Sequence, residues 1–338
     1  MNEMDNKWIG KNTIRPDGAD KVTGRAEYAA DTIMPGMIWG KVLRSPHPHA
    51  TIKSINTKKA EELDGVFSIA TSADCVDFPV DTPVILGIQD IRWMARNVLA
   101  KEKVLFHGHP IAAVAARTEE IAEKACELIE VEYDIHPWAI EIDDALKPDA
   151  PILHDFIKFD GKPSNIAGTL EHKKGDIEKG FKEADIIIER EFETAAVHQG
   201  YLETHACLVS VSPDDRTTIW SSSQGQFMVR AMTSFITGIP QSSIRAIPAE
   251  IGGGFGGKTI VYLEPVATIL SKKSGRPVKM VMTREEVMRA SGPTSGSKSK
   301  VKIGAKNNGK ITAAQGTFYL QAGAFPGAPI RGAAGCCL

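Results

Sequence analysis

Five glycines fall within seven consecutive residues, Gly252-Gly253-Gly254-Phe255-Gly256-Gly257-Lys258, and this run constrains the chain more than any other feature. Glycine loses more conformational freedom on folding than other residues, so such a run is costly inside a helix or strand. It offers backbone that can approach a neighbour closely, and successive N–H groups that can cradle an anionic or oxygen-rich group. Residues 252–259 also satisfy G-x-x-x-x-G-K-[ST], the phosphate-binding loop of nucleotide hydrolases. That reading requires an aspartate at the end of a following strand to hold Mg²⁺. The strand-like run PVKMVMTREE offers none, and no aspartate occurs after Asp215.

The rest of the chain narrows the choice further. At 338 residues it is long enough for two or more domains, and 42% hydrophobic with 24% charged residues is ordinary globular composition. Forty basic against 42 acidic residues leave no net positive field for nucleic acid or anionic lipid. The opening MNEMDNKWIGKN lacks the apolar core of a secretory signal, and no apolar run approaches the ~20 residues of a membrane helix. Cys75, Cys126, Cys207, Cys336 and Cys337 are odd in number and scattered, which predicts a reducing cytoplasm and no disulfide framework. They lack zinc or iron–sulfur spacing, so any redox cluster is expected on another chain. Adjacent Cys336 and Cys337 read as a chain end and not as a metal site.

Element signals predict an α+β chain. MIWGKVLRSPHPHATIKSIN reads as two strands joined by a loop, and GHPIAAVAA as a buried strand. Thr118 is a candidate N-cap, with Glu119 and Glu120 in the first turn and Ile121, Ala125, Leu128 and Ile129 on one apolar face. IEVEYDIHPW returns as a strand. Residues 146–165 carry three prolines and predict a linker between domains 1–145 and 166–338. Beyond it come a short helix (DIEKGFKEA), a long strand (186–197), a strand at RTTIWSSSQ and a helix ended by Gly238. SSIRAIPAEI predicts a strand leading into the glycine run. Thr283 and Glu286 form a capping box, and Asn308-Gly309 a hairpin turn.

Several motifs in order carry a resemblance. GGGFGGK, with SSSQGQF upstream and HQGYLETHA before that, resembles the molybdenum-binding large subunit of the xanthine dehydrogenase/aldehyde oxidase family. KVTGRAEYAADTIMPGMIWGKVLRSPHPHATI and HGHPIAAVAARTEEIAEKACELIEVEY are similar to its N-terminal α/β hammerhead domain. The resemblance covers residues 9–330. It implies an N-terminal hammerhead domain followed by the first molybdenum-cofactor-binding α+β domain.

Carried over residue by residue, the resemblance places the glutamine beside the molybdenum oxo group at Gln224. Phe255 follows it by 31 positions, the separation found in the family. It also implies a Phe255 N–H near an oxygen ligand of the metal, with Gly253, Gly254, Gly256, Gly257 and Lys258 contacting the pterin cofactor. Neutral amide donors can hold such an oxygen without competing as metal ligands. Gln199 and Glu203 are expected behind the site, with His198 and His205 as buried, hydrogen-bonded supports. His47, His49, His107 and His109 are expected in loop or domain contacts.

Thr259 stands where purine-oxidising relatives carry a substrate-binding glutamate, which marks it as a substrate-pocket candidate and puts xanthine as substrate in question. The family's arginine-containing loop and catalytic glutamate lie beyond QAGAFPGAPI, so the resemblance implies that this chain holds no catalytic base and receives one in trans. The implied whole is a cytoplasmic hydroxylase of N-heterocycles or aldehydes. It would carry the molybdenum cofactor as a cytosine dinucleotide, with a second molybdopterin subunit, a [2Fe–2S] subunit and an FAD subunit. Two other readings stay open: a non-catalytic truncated product, and the P-loop hydrolase.

Overall fold

The computed structural model describes residues 8–79, 84–86 and 89–324. The first region forms strands β1 (Ile38–Arg44), β2 (Ala50–Asn56) and β3 (Val66–Thr71), and the continuous apolar run PIAAVAA forms the buried strand β4 (Pro110–Ala116). Helix α1 (Glu119–Leu128) starts at Thr118, whose hydroxyl accepts the Ile121 N–H at 3.3 Å. Its buried face is Ala122, Ala125 and Cys126, with Ile129 just past its end, a rotation from the face the sequence predicts. Ile121 lies at its rim. Strand β5 (Glu130–Ile135) then returns beside β2.

The second region supplies β6 (Ile186–Thr194), β7 (Ala206–Val211), β8 (Thr217–Ser221), α2 (Gln226–Thr237) and β9 (Ile244–Pro248). Gly238 caps α2 in the left-handed conformation. After the glycine run come α3 (Glu264–Ser274), β10 (Val278–Val281), α4 (Arg284–Ala290), β11 (Ser297–Ala305) and β12 (Ile311–Leu320). The capping box of α4 is formed: Thr283 accepts the Glu286 N–H and the Glu286 carboxylate accepts the Thr283 N–H. β11 and β12 pair across the turn at Asn308-Gly309, with Gly309 at φ +84°.

The two regions share one sheet. Its seven strands run β9-β8-β7-β10-β1-β4-β3, so β1 of the first region pairs in parallel with β10 of the second. Helix α3 is the hub of this arrangement, and the sequence analysis does not identify it. Its residues from Glu264 to Ser271 are all buried, so EPVATILSKKS shows little amphipathic contrast to read. It packs on β7, β3, α2 and β4, and its Leu270 carbonyl accepts the Ser68 hydroxyl from β3 at 3.0 Å.

Residues 146–165 are not a free tether. Phe156 stacks on buried Trp93 at 4.7 Å, and His154 donates to the Ala324 carbonyl at 2.6 Å. Proline content marks the segment as irregular, but its aromatic residues dock it. A second, three-stranded sheet, β6-β11-β12, stands apart, with every residue of β6 exposed. No helix among the described residues is long and apolar enough to cross a membrane.

Candidate functional site

The glycine run lies between the end of β9 and the start of α3, with β7, β8 and their connections beneath it. Gln224 sits at the turn between β8 and α2 and is bonded to the run three times. Its carbonyl Oε1 accepts the N–H groups of Gly256 at 2.9 Å and Lys258 at 3.1 Å. Its own N–H donates to the Lys258 carbonyl at 2.9 Å. With its oxygen so committed, the amide orientation is fixed and Nε2 is the outward group. Gln224 is exposed, and Nε2 has no partner among the described residues.

Glycine is required here for close approach. A Cβ on Gly254 would sit 2.5 Å from Gln224 Oε1, and one on Gly257 would sit 2.8 Å from the Tyr201 ring and 2.9 Å from Gln199 Oε1. Phe255 occupies the left-handed region at φ +48° with its ring 73% exposed, while Gly253 and Gly256 also have positive φ. A bulky residue held there stores ~1–2 kcal/mol of strain, the kind of outlier that accompanies ligand clamps. The N–H groups of Gly254 and Phe255 have no acceptor among the described residues, although Gly254 is buried. An unmet N–H on the buried Gly254 calls for an oxygen acceptor from elsewhere, and the exposed Phe255 N–H stands beside it.

Beneath the run, Lys258 turns inward. Its ammonium is buried, 2.6 Å from Glu203 Oε2 and 4.9 Å from the centre of the Tyr201 ring. Burial pulls its pKa down, and Glu203 opposes that pull. The same Glu203 oxygen accepts the Gly252 N–H at 2.8 Å. Lys258 is thus placed under the loop and its side chain faces protein, unlike the pterin contact implied by the resemblance. This also disposes of the P-loop reading, which needs that ammonium free for phosphate.

The Tyr201 hydroxyl bonds both His205 Nε2 at 2.7 Å and Ser291 Oγ at 3.0 Å. The Ser291 hydroxyl donates to the Val287 carbonyl, so it accepts from His198 Nε2, and His198 Nδ1 accepts the Gly200 N–H. Burial, with Lys258 adding to it, pushes the His205 pKa down to about 3, so this histidine is neutral. Both histidines serve as hydrogen-bonded supports. The sequence carries no signal for their partners Tyr201 and Ser291, which are 90 residues apart.

Gln199 donates to the Gly292 carbonyl at 3.2 Å, and its Oε1 is buried without a partner. Thr259 is exposed, its hydroxyl donating to the Gly256 carbonyl at 2.9 Å. Gln199, Glu203, Gln224 and the residues from Gly253 to Thr259 therefore come together. The other candidates lie elsewhere: His49 bonds to the Pro137 carbonyl, and His109 bridges the Arg96 carbonyl and the Leu105 N–H, both tying loops. Cys336 and Cys337 lie outside the described residues.

No group of three or more His, Cys, Asp or Glu among the described residues is arranged to hold a metal. The site presents amide donors, which suit the oxygens of a metal that arrives already held by its own organic ligand. The residues present fit a molybdenum–pterin group in that respect.

Comparison with known proteins bears on the same residues. The molybdopterin cofactor-binding domain family matches residues 158–335, and the aldehyde oxidase and xanthine dehydrogenase a/b hammerhead domain matches 23–137. A probable xanthine dehydrogenase polypeptide of Bacillus subtilis is 37% identical over 312 residues, 92% of this chain but 40% of that protein. The nicotinate dehydrogenase large molybdopterin subunit of Eubacterium barkeri is 30% identical, over 94% of this chain and 71% of its own. Among solved structures, reconstituted CO dehydrogenase from Oligotropha carboxidovorans superposes with a TM-score of 0.78 at 32% identity, covering 91% of this chain and 39% of that one. The chain spans about two-fifths of the length of the first curated relatives it matches.

Proposed function

The chain belongs to the aldehyde oxidase and xanthine dehydrogenase family of molybdopterin-binding oxidoreductases, and from that premise we propose that it is the cofactor-cradling part of a molybdenum hydroxylase. One observation carries the proposal. Gln224 has its carbonyl tied down by Gly256 and Lys258, which leaves its Nε2 amide beside the unmet N–H groups of Gly254 and Phe255. Three neutral donors would hold the cofactor's oxygen atoms, and donors fixed in advance stabilise developing negative charge without reorganising. Gly256 and Gly257 let the backbone come close to the pterin. Glu203 and Gln199 act from behind the loop. When bound, the cofactor supplies the two-electron oxidation with water as the oxygen source.

The rest of the assembly follows by family analogy. Residues 1–145 form the hammerhead domain and 166–338 the first cofactor domain, joined through the docked segment 146–165 and the shared sheet. The cofactor is a cytosine dinucleotide form, and the substrate is an N-heterocycle or aldehyde, with Thr259 facing its pocket. A second molybdopterin polypeptide supplies the base, while [2Fe–2S] and FAD subunits carry electrons away in the cytoplasm.

The test is metal analysis of the complex purified natively through a tag on this chain. Molybdenum equimolar with the chain, together with co-purifying flavin and iron–sulfur polypeptides, is the expected result. A folded chain that purifies alone and without molybdenum would make this a family fold without the chemistry.

A further inference from the structure

Two contacts beneath the glycine run have no place in the donor set. Glu203 Oε2 accepts both from the Gly252 N–H at 2.8 Å and from the Lys258 ammonium at 2.6 Å. One carboxylate oxygen therefore joins the first residue of the run to its last. The segment bearing Glu203 is itself anchored, because Arg284 of α4 donates to the carbonyls of Tyr201 and Leu202. There is no slack in the arrangement: a Cβ on Gly252 would come within 2.6 Å of Glu203 Cβ. The pair is buried, with the Lys258 side chain 0% and the Glu203 side chain 11% exposed.

We infer that Glu203 and Lys258 are positioning residues, a buried ionic clasp that closes the run into a fixed arch and so sets the Phe255 and Gly254 N–H groups in place for the cofactor. This rests on the reading of the run as a cofactor cradle. The physical reason is entropic. An arch of five glycines is floppy unless its two ends are held, and donors must be held within about half an ångström to be useful. Gln224 fixes the far half of the arch through Gly256 and Lys258. Among the described residues, Gly252 at the near end is hydrogen-bonded by Glu203 alone, through its carboxylate and through its own N–H, which donates to the Gly252 carbonyl at 3.2 Å. An ion pair excluded from water also suits a permanent clasp, since neither partner can exchange readily with solvent.

The experiment uses the native complex carrying Glu203→Gln or Glu203→Asp in this chain, with molybdenum content and amide hydrogen exchange as readouts. Outer supports of metal sites cost about 10–100-fold in metal retention when removed. Both variants are expected to lose about tenfold or more molybdenum per chain. Exchange should rise across 252–259 beyond any general rise in β7 and β8. Glu203→Gln that folds with wild-type molybdenum and wild-type loop protection overturns the clasp. Should Glu203→Gln fail to fold, Glu203→Asp decides. It keeps the charge and withdraws its reach by one methylene, so full molybdenum and full loop protection there mean charge compensation only and equally overturn the inference. If the wild-type complex holds no molybdenum, the cradle reading falls, and the exchange of residues 252–259 alone judges the clasp.

Discussion

Lysine meets glutamate in two settings in this chain. Under the glycine run, Lys258 and Glu203 form one short pair out of water. On the β6-β11-β12 sheet, Lys298, Lys300 and Lys302 face Glu189, Glu191 and Glu193 at 3.3–3.8 Å, with Lys300 and the glutamates exposed and Lys298 and Lys302 half-buried. The chemistry is the same and the number of contacts favours the ladder. Solvent decides otherwise: exposed pairs are screened and contribute little, whereas an unmatched charge left in the interior is costly. The buried pair holds a loop with a job, and the ladder keeps an otherwise apolar sheet hydrated.

The largest effect expected from this contrast comes from Lys258→Met, which keeps the side-chain length and removes the charge. Breaking a buried pair typically costs about 3–5 kcal/mol. Denaturant unfolding should show that loss in the midpoint, and a loss under 1 kcal/mol, roughly the worth of an exposed pair, would erase the distinction between the two settings.

Acid should also separate them. The ordinary histidine value is near 6.5, but burial pushes His205 down to about 3 and His109 down to about 4. The unfolded chain therefore takes up these protons first as pH falls below 6.5, and stability is lost in the window from there to about 4. Each histidine contributes a slope of about 1.4 kcal/mol per pH unit in that window. Unfolding measured at pH 7 and pH 5 should differ by at least about 2–4 kcal/mol, since burial also lowers His49, His154 and His198, and His109→Gln should reduce the difference. A flat profile would mean that these rings are not buried as described.

Next in size is Gly254→Ala. Its methyl group meets Gln224 Oε1 at 2.5 Å, so either the amide or the arch must shift. Overpacking of this kind costs about 1–3 kcal/mol. The sharper readout is molybdenum content, expected to fall in Gly254→Ala and to stay unchanged in an alanine substitution at Gly168, where a Cβ meets nothing and φ is not positive. Equal loss in both would show that the run is merely a turn.

Much of this is legible in the sequence, for reasons particular residues make clear. Caps and turns are local, so the signals at Thr118, Thr283-Glu286, Gly238 and Asn308-Gly309 fall where the structure has them. The resemblance to the family places Gln224 beside Phe255 before any geometry is known. What escapes is non-local or uniform. Helix α3 is buried on all sides from Glu264 to Ser271 and lacks a polar face to give it away. The Lys258–Glu203 pair joins residues 55 apart, and nothing local tells an inward lysine from one bound for a ligand. The shared sheet escapes for the same reason: Ile38 opposite Val278 is a pairing across the whole chain.

The smallest effect is expected where the contacts are most numerous. Lys300 lies 3.4 Å from Glu189 and 3.3 Å from Glu191, and each carboxylate raises its pKa. Yet the lysine side chain is 57% exposed, and holding it between two mobile carboxylates costs rotamer freedom that offsets the attraction. Lys300→Ala should leave the melting temperature unchanged within error at physiological salt, and any small drop at low salt should vanish near ~1 M salt, where charges are screened within about 3 Å. Thermal melts across that range check it. A drop that persists in high salt would place Lys300 in a desolvated contact. The apolar face opposite the ladder, with Ile188, Phe192 and Phe318, would then have to order that side of the sheet more firmly than its exposure implies.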